Sequence, residues 1–247
     1  MNRDLLLTRL DRLRWALIRT LVAVLVAAVA GYAASRRLLE ILHRPLALTD
    51  PPIPLRFLRL TEPFFAYLKV ALFAGLFVVL PFVIRELWLA LAPLAMGEAA
   101  RRYTWTVTIG ATLLFYAGAT ICYFFVLGAA IPFLVGFGGD QLQPFLSVSD
   151  YLGLVMTLLL VSGVMFELPL VLLLLGRVGL VNARMLGRFR RYAIVLNAIL
   201  SAALTPTPDA YTMLLMMVPL VVLYELSILL VRFFGKPHGP YGQPAAT

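Results

Sequence analysis

Residues 151–175 read YLGLVMTLLLVSGVMFELPLVLLLL, an apolar run with one ionisable side chain, Glu167. A hydrocarbon core about 30 Å thick is crossed by roughly 20 apolar residues of α-helix. A helix of this composition has no polar face to offer water. Similar runs occupy residues 15–34, 69–92 and 103–125, the third extending towards Leu134. Two shorter runs follow. Residues 192–204 reach about 20 Å at 1.5 Å per residue, less than the hydrocarbon thickness. Residues 211–231 come after Thr205-Pro206-Thr207-Pro208-Asp209 and contain Pro219. The expectation is an all-α membrane protein of six transmembrane helices with the last two short. It would form a single transmembrane domain over residues 1–235, with a flexible Gly- and Pro-rich tail over 236–247.

Composition agrees. The chain is 62% hydrophobic and 13% charged over 247 residues, where a soluble domain carries roughly 25% charged side chains. Apolar runs recur along the whole length, so the N-terminal one reads as a retained span and not as a cleaved signal. Cys122 is the single cysteine, and His43 and His238 are the two histidines. Zinc chemistry and a Cys-His nucleophile pair are therefore not expected. The chain has no GxxxxGK[ST] loop, no Ser-His pair and no internal repeat, so neither nucleotide hydrolysis, intramembrane proteolysis nor an inverted-repeat carrier is expected. The net charge of +9 is spread in clusters flanking apolar segments, which suits anionic lipid headgroups better than nucleic acid.

Lys and Arg counts set the orientation. With the N-terminus inside, the inner segments hold Arg3, Arg9, Arg12, Arg14, Arg19, Arg101, Arg102, Arg177, Arg184, Arg188, Arg190, Arg191, Arg232 and Lys236. The outer segments hold Arg36, Arg37, Arg44, Arg56, Arg59 and Lys69, all in the first loop. The larger inner set gives both termini inside, with the first outer loop as the exception. That loop carries Pro45, Pro51, Pro52, Pro54 and Pro63, which predicts a stiff cap without regular helix.

Glu167 is the main candidate for function. A charge at such depth costs on the order of 2.5–3.5 kcal/mol unless it is protonated, hydrated or paired. It is read either as a docking point for another membrane helix or as an internal hydrogen bond that fixes packing. Pro169 removes a backbone donor two residues later and predicts a bend there. Arg85 and Glu86 are adjacent, point about 100° apart on a helix, and are expected to need separate partners, with Arg85 snorkelling at the inner end. Glu225 has the same ambiguity. Asn197 is expected to hydrogen-bond between helices as structural glue. A small-solute carrier is the contrasting possibility, but it needs polar residues on several spans converging on one path.

Several stretches taken in order resemble the TatC subunit of the twin-arginine protein translocase, and they cover nearly the full chain. They are Leu10, Leu13, Arg14 and Leu17; His43-Arg44-Pro45-Leu46; Thr61-Glu62-Pro63-Phe64-Phe65 with Tyr67-Leu68-Lys69; and Trp88 with Ala92-Pro93 before Arg101-Arg102. Further on come Leu114-Phe115-Tyr116-Ala117-Gly118, Phe166-Glu167-Leu168-Pro169, and Thr205-Pro206-Thr207-Pro208-Asp209 before Leu223-Tyr224-Glu225. The resemblance implies a concave, glove-like six-helix bundle with no cofactor and no enzymatic activity, in a bacterial or archaeal cytoplasmic membrane. It would recruit TatA- and TatB-type single-span partners, bind twin-arginine signal peptides, self-associate within the Tat complex and export folded proteins on the proton-motive force. Glu167 matches the family's buried glutamate. Pro45, Pro93, Pro169, Pro206 and Asp209 are the candidate structural hinges. Two positions depart from the pattern, Arg12 and Ala100, where the family has glutamates that contact the signal's arginines. Asp11 and Glu98 are the candidate substitutes, and the alternative is a divergent paralogue with lost or altered signal recognition.

Overall fold

The computed structural model describes residues 3–47, 53–96, 99–136, 145–204 and 209–235. Glu98, Pro206 and the tail over 236–247 lie outside the described residues, as do the side chains of Arg12, Pro93 and Ala100. The described chain is almost wholly helical. The elements are α1 (Arg3–Tyr32), α2 (Ser35–Ala47), α3 (Glu62–Met96), α4 (Ala99–Arg102), α5 (Thr104–Ile121), a π-helical turn (Cys122–Val126) and α6 (Leu127–Gly136). They continue with α7 (Val148–Met165), α8 (Leu168–Val178), α9 (Ala183–Arg188), α10 (Arg190–Leu204) and α11 (Ala210–Phe234).

Five runs among the described residues are long and apolar enough to cross a membrane: Arg14–Tyr32, Glu62–Ala90, Thr104–Gly136, Val148–Val178 and Ala210–Phe234. Each contains most of a run expected from sequence. The remaining one, α10, has 15 residues, about 22 Å of helix. By itself it falls short of the hydrocarbon core. The last helix is longer than the sequence reading gave it: α11 has 25 residues. The Asp209 side chain accepts from Thr212 N and starts the helix, and Pro219 is accommodated inside it.

The first outer loop also differs from expectation, because residues 35–47 form the regular helix α2. The prolines cluster from Pro45 onward, and the preceding residues place Ser35, Leu42, Pro45 and Leu46 on one buried face. Proline at the last turn removes one donor without interrupting what precedes it.

Two compact units form, Met1–Thr112 with Ile131–Met156 and Leu113–Ala130 with Thr157–Thr247. In the first unit, α1 packs on α3 through small residues. A Cβ at Gly75 would sit 2.6 Å from Ala28 N, and one at Gly31 would sit 3.3 Å from Ala71 O. Close backbone approach of this kind is how membrane helices associate when water supplies no driving force. Trp15, Leu21, Val22, Val26 and Val29 of α1 face outward, a surface suited to lipid. Towards the other end, Arg56 pairs with the segment before α7, with Arg56 N donating to Leu146 O at 3.1 Å and Val148 N to Arg56 O at 3.0 Å. Tyr151 Oη donates to Leu42 O at 2.8 Å and ties α7 to α2.

In the second unit, α8 meets α11 where a Cβ at Gly176 would lie 2.9 Å from a Val231 methyl. Leu186, Ile228 and Val231 form a buried core there, covered by Leu172, Val181, Ala183 and Tyr224. Gly179 ends α8 with φ 88°, a left-handed conformation that glycine adopts without strain. Leu180 N then bonds to Leu175 O at 2.9 Å.

Candidate functional site

Glu167 stands at a break between two helices. Pro169 has no N–H for a bond four residues back, and its ring would collide with the Met165 carbonyl in a continuous helix. The chain therefore leaves helix after Met165 and re-enters at Leu168. Glu167 N reaches only to Val164 O at 3.1 Å, a three-residue closure, while Glu167 O accepts from Val171 N at 3.0 Å and begins α8.

The turn is locked from α5. Ser162 Oγ donates to Gly118 O at 3.0 Å within the core. The two helices also exchange rings for glycines: a Cβ at Gly118 would lie 2.6 Å from Phe166 Cγ, and one at Gly163 would lie 2.6 Å from Phe115 Cε2. Phe115 and Phe166 are both buried. Holding Phe166 in this slot fixes the residue that follows it. Glu167 is half-buried, and its Oε1 is closed to solvent with no hydrogen-bond partner among the described residues. Such an oxygen is costly to leave unsatisfied. It is positioned to accept from a polar group or water that the described residues do not provide.

Asp11 is exposed on α1 in the first unit, Glu167 belongs to the second, and Glu98 lies outside the described residues. Of the hinge candidates, Pro45 is buried inside α2, and Pro93 lies within α3, which continues to Met96. Pro169 occupies the first turn of α8 and is buried, and Asp209 caps α11.

Arg85 and Glu86 correct the expectation that neighbours need separate partners. Arg85 Nη1 lies 3.1 Å from Glu86 Oε1, and Arg19 Nη1 lies 3.6 Å from Glu86 Oε2. The 100° offset holds for Cα positions, but an arginine stem is long enough to wrap back along the helix surface. The Glu86 side chain is 8% exposed and Arg85 38%. The Arg85 guanidinium also lies over the Trp105 ring at 6.0 Å. Glu225 pairs with Arg190 at 2.7 Å. Asn197 is buried, and its Nδ2 has no partner among the described residues, so the expected interhelical bond from that group is not formed there.

Sequence reasoning singled out no role for Glu62. It is buried at the start of α3 and collects four donors. Oε1 accepts from Ser147 Oγ and from Ser149 N at 2.8 Å. Oε2 accepts from Leu58 N at 2.6 Å and Arg59 N at 3.3 Å. Lys69 Nζ donates to Ser149 Oγ at 2.7 Å beside it. A glutamate directly before Pro63 at the head of an apolar run is a helix-start signature. The serines it grips are 85 and 87 residues away, and no local pattern points to them.

A family model described as Sec-independent protein translocase protein (TatC) matches residues 8–219. The Sec-independent protein translocase protein TatC of Desulforapulum autotrophicum is 38% identical over 228 residues, covering 92% of this chain and 84% of the relative. That of Aquifex aeolicus is 34% identical over 229 residues, 92% of each. A crystal structure of the twin arginine translocase receptor TatC superposes with a TM-score of 0.78 at 34% identity, covering 90% of this chain and 97% of that one. A long series of apolar helices, a glutamate at a proline break and a family match over most of the length lead to one conclusion: the chain belongs to the TatC family, the multi-pass cell-membrane component of the Sec-independent protein translocase, and is not an enzyme.

Proposed function

We propose that this chain is the receptor and scaffold of a twin-arginine translocase. It binds twin-arginine signal peptides and holds TatA- and TatB-type single-span partners while folded proteins cross the membrane on the proton-motive force. Residues 1–235 act as one transmembrane domain with both termini inside, in a bacterial or archaeal cytoplasmic membrane, and copies of the chain associate within the complex. The supporting observation is Glu167, a carboxyl inside an apolar span with one oxygen sealed and unpartnered among the described residues. A visiting helix with a polar side chain satisfies that oxygen and offsets the cost of burying it. A carboxyl engaged in internal packing would instead have a partner on a neighbouring helix.

The test is export of a twin-arginine reporter in cells lacking their own TatC. Wild type restores export, Glu167→Ala lowers it several-fold, and Glu167→Gln, which retains an acceptor, lies between. Equal export by all three rules out a role for the carboxyl. A divergent paralogue remains the second reading because Arg12 and Ala100 replace acids of the family pattern. Asp11 and Glu98 are proposed as the substitutes that meet the signal's arginines. Alanine at both positions abolishes signal-peptide crosslinking if they serve, and assembly without any export identifies the paralogue.

A further inference from the structure

The turn before α3 combines features that a soluble loop avoids. Leu60 is 92% exposed, Phe57 and Leu58 are each 61% exposed, and Phe64 and Phe65 face outward at the start of α3. Arg56 and Arg59 are interleaved with them and are also exposed. This conformation is not a loose one. Glu62 Oε2 takes the N–H groups of Leu58 and Arg59, and Glu62 N donates to Arg59 O at 3.0 Å. The backbone is satisfied inward, and the apolar and basic side chains project out. The Arg56 guanidinium lies over the exposed Phe145 ring at 5.3 Å, and the Arg59 side chain has no hydrogen-bonding or ionic partner among the described residues.

Position and charge indicate what covers this surface. The turn adjoins the end of the Glu62–Ala90 span, the level at which aromatic rings and arginines meet lipid headgroups. The segment between α1 and α3 carries Arg36, Arg37, Arg44, Arg56 and Arg59 against Glu40 and Asp50, an excess opposite to that expected of an outer loop. A cationic excess interleaved with exposed apolar side chains at a span end fits an anionic phospholipid. An acidic soluble partner would not use Phe57, Leu58 and Leu60.

We propose that residues 56–65 form an anchor for anionic phospholipid, with Phe57, Leu58 and Leu60 in the acyl boundary and Arg56 and Arg59 on the headgroup phosphate. Native mass spectrometry of the full detergent-purified chain, titrated with phosphatidylglycerol or phosphatidylcholine, tests it. Wild type prefers phosphatidylglycerol, and Arg56→Gln with Arg59→Gln reduces that binding about fivefold per arginine removed, while phosphatidylcholine binding stays constant. An unchanged preference in the double variant overturns the proposal. A bimane probe on Leu60→Cys in a Cys122→Ala background, in vesicles containing phosphatidylglycerol, is quenched by shallow doxyl lipids and shielded from iodide. Iodide quenching overturns the proposal, and so does a disulfide between Leu60→Cys copies, which would identify a second chain as the occupant. Neither readout involves export, so this inference and the translocase reading succeed or fail separately.

Discussion

Substituting alanine for Gly118 probes how Glu167 is positioned. The new Cβ would lie 2.6 Å from Phe166 Cγ, 2.7 Å from Cδ2 and 2.8 Å from Cβ. Cβ and Cγ are the root of the side chain, so rotating the ring about the bond between them moves Cδ2 but does not clear the other two. The backbone at Phe166 must shift, and Glu167 with it. Overpacking of this kind costs about 1–3 kcal/mol, against a gain of up to about 1 kcal/mol from helix propensity. With the full propensity gain the net loss is up to about 2 kcal/mol, a fall of up to roughly 8 °C in unfolding midpoint for a chain of this size. Gly163→Ala provides the control. Its Cβ would meet Phe115 at Cε2, Cζ and Cδ2, atoms at the far edge of the ring that can swing aside, and the net change stays within about 1 kcal/mol. Thermal unfolding of both variants in detergent, followed by circular dichroism, gives the ordering. Adding Phe166→Ala removes the cost of Gly118→Ala, a coupling of about 1 kcal/mol or more in a double-mutant cycle. A larger loss at Gly163 than at Gly118, or strictly additive effects, refutes the reasoning.

Other substitutions follow from named contacts. In Glu62→Gln the amide NH2 faces donors whichever way it turns, since both oxygens now accept a backbone N–H. Hydrogen exchange at Leu58, Arg59 or Ser149 should accelerate by about tenfold, and unchanged protection at all three contradicts the assignment. Asn197→Leu removes a buried amide whose Nδ2 lacks a partner among the described residues, so stability should be unchanged or slightly raised. A midpoint lower by several degrees would reveal a partner. Asp209→Ala loses the cap on Thr212 N, 2.6 Å away, at a cost of about 1 kcal/mol. Asp209→Asn should recover most of it in the same unfolding assay.

The candidate site was legible in part. Glu167 stands out because a carboxyl in an apolar run is conspicuous in one dimension, and Pro169 marks the break because a missing donor acts within four residues. Asp209 was expected only as a hinge; its cap on Thr212 N is a contact that the structure supplied. The Arg85–Glu86 pair was misjudged because helical projection tracks Cα directions and ignores the reach of a flexible stem. The α2 helix was missed because the prolines further along the loop were taken to govern all of it.

Apolar run length and the placement of basic clusters were sufficient to establish a helical membrane protein. In lipid each span satisfies its own backbone, so a span is written in its own residues. Only the tertiary structure decided which faces meet: Gly118 under Phe166, Gly75 against Ala28, Arg19 on Glu86 and the two serines on Glu62. Those contacts join residues 47 to 87 positions apart. Between uniformly apolar helices, partner choice depends on side-chain shape and a few polar groups, which hydropathy does not encode.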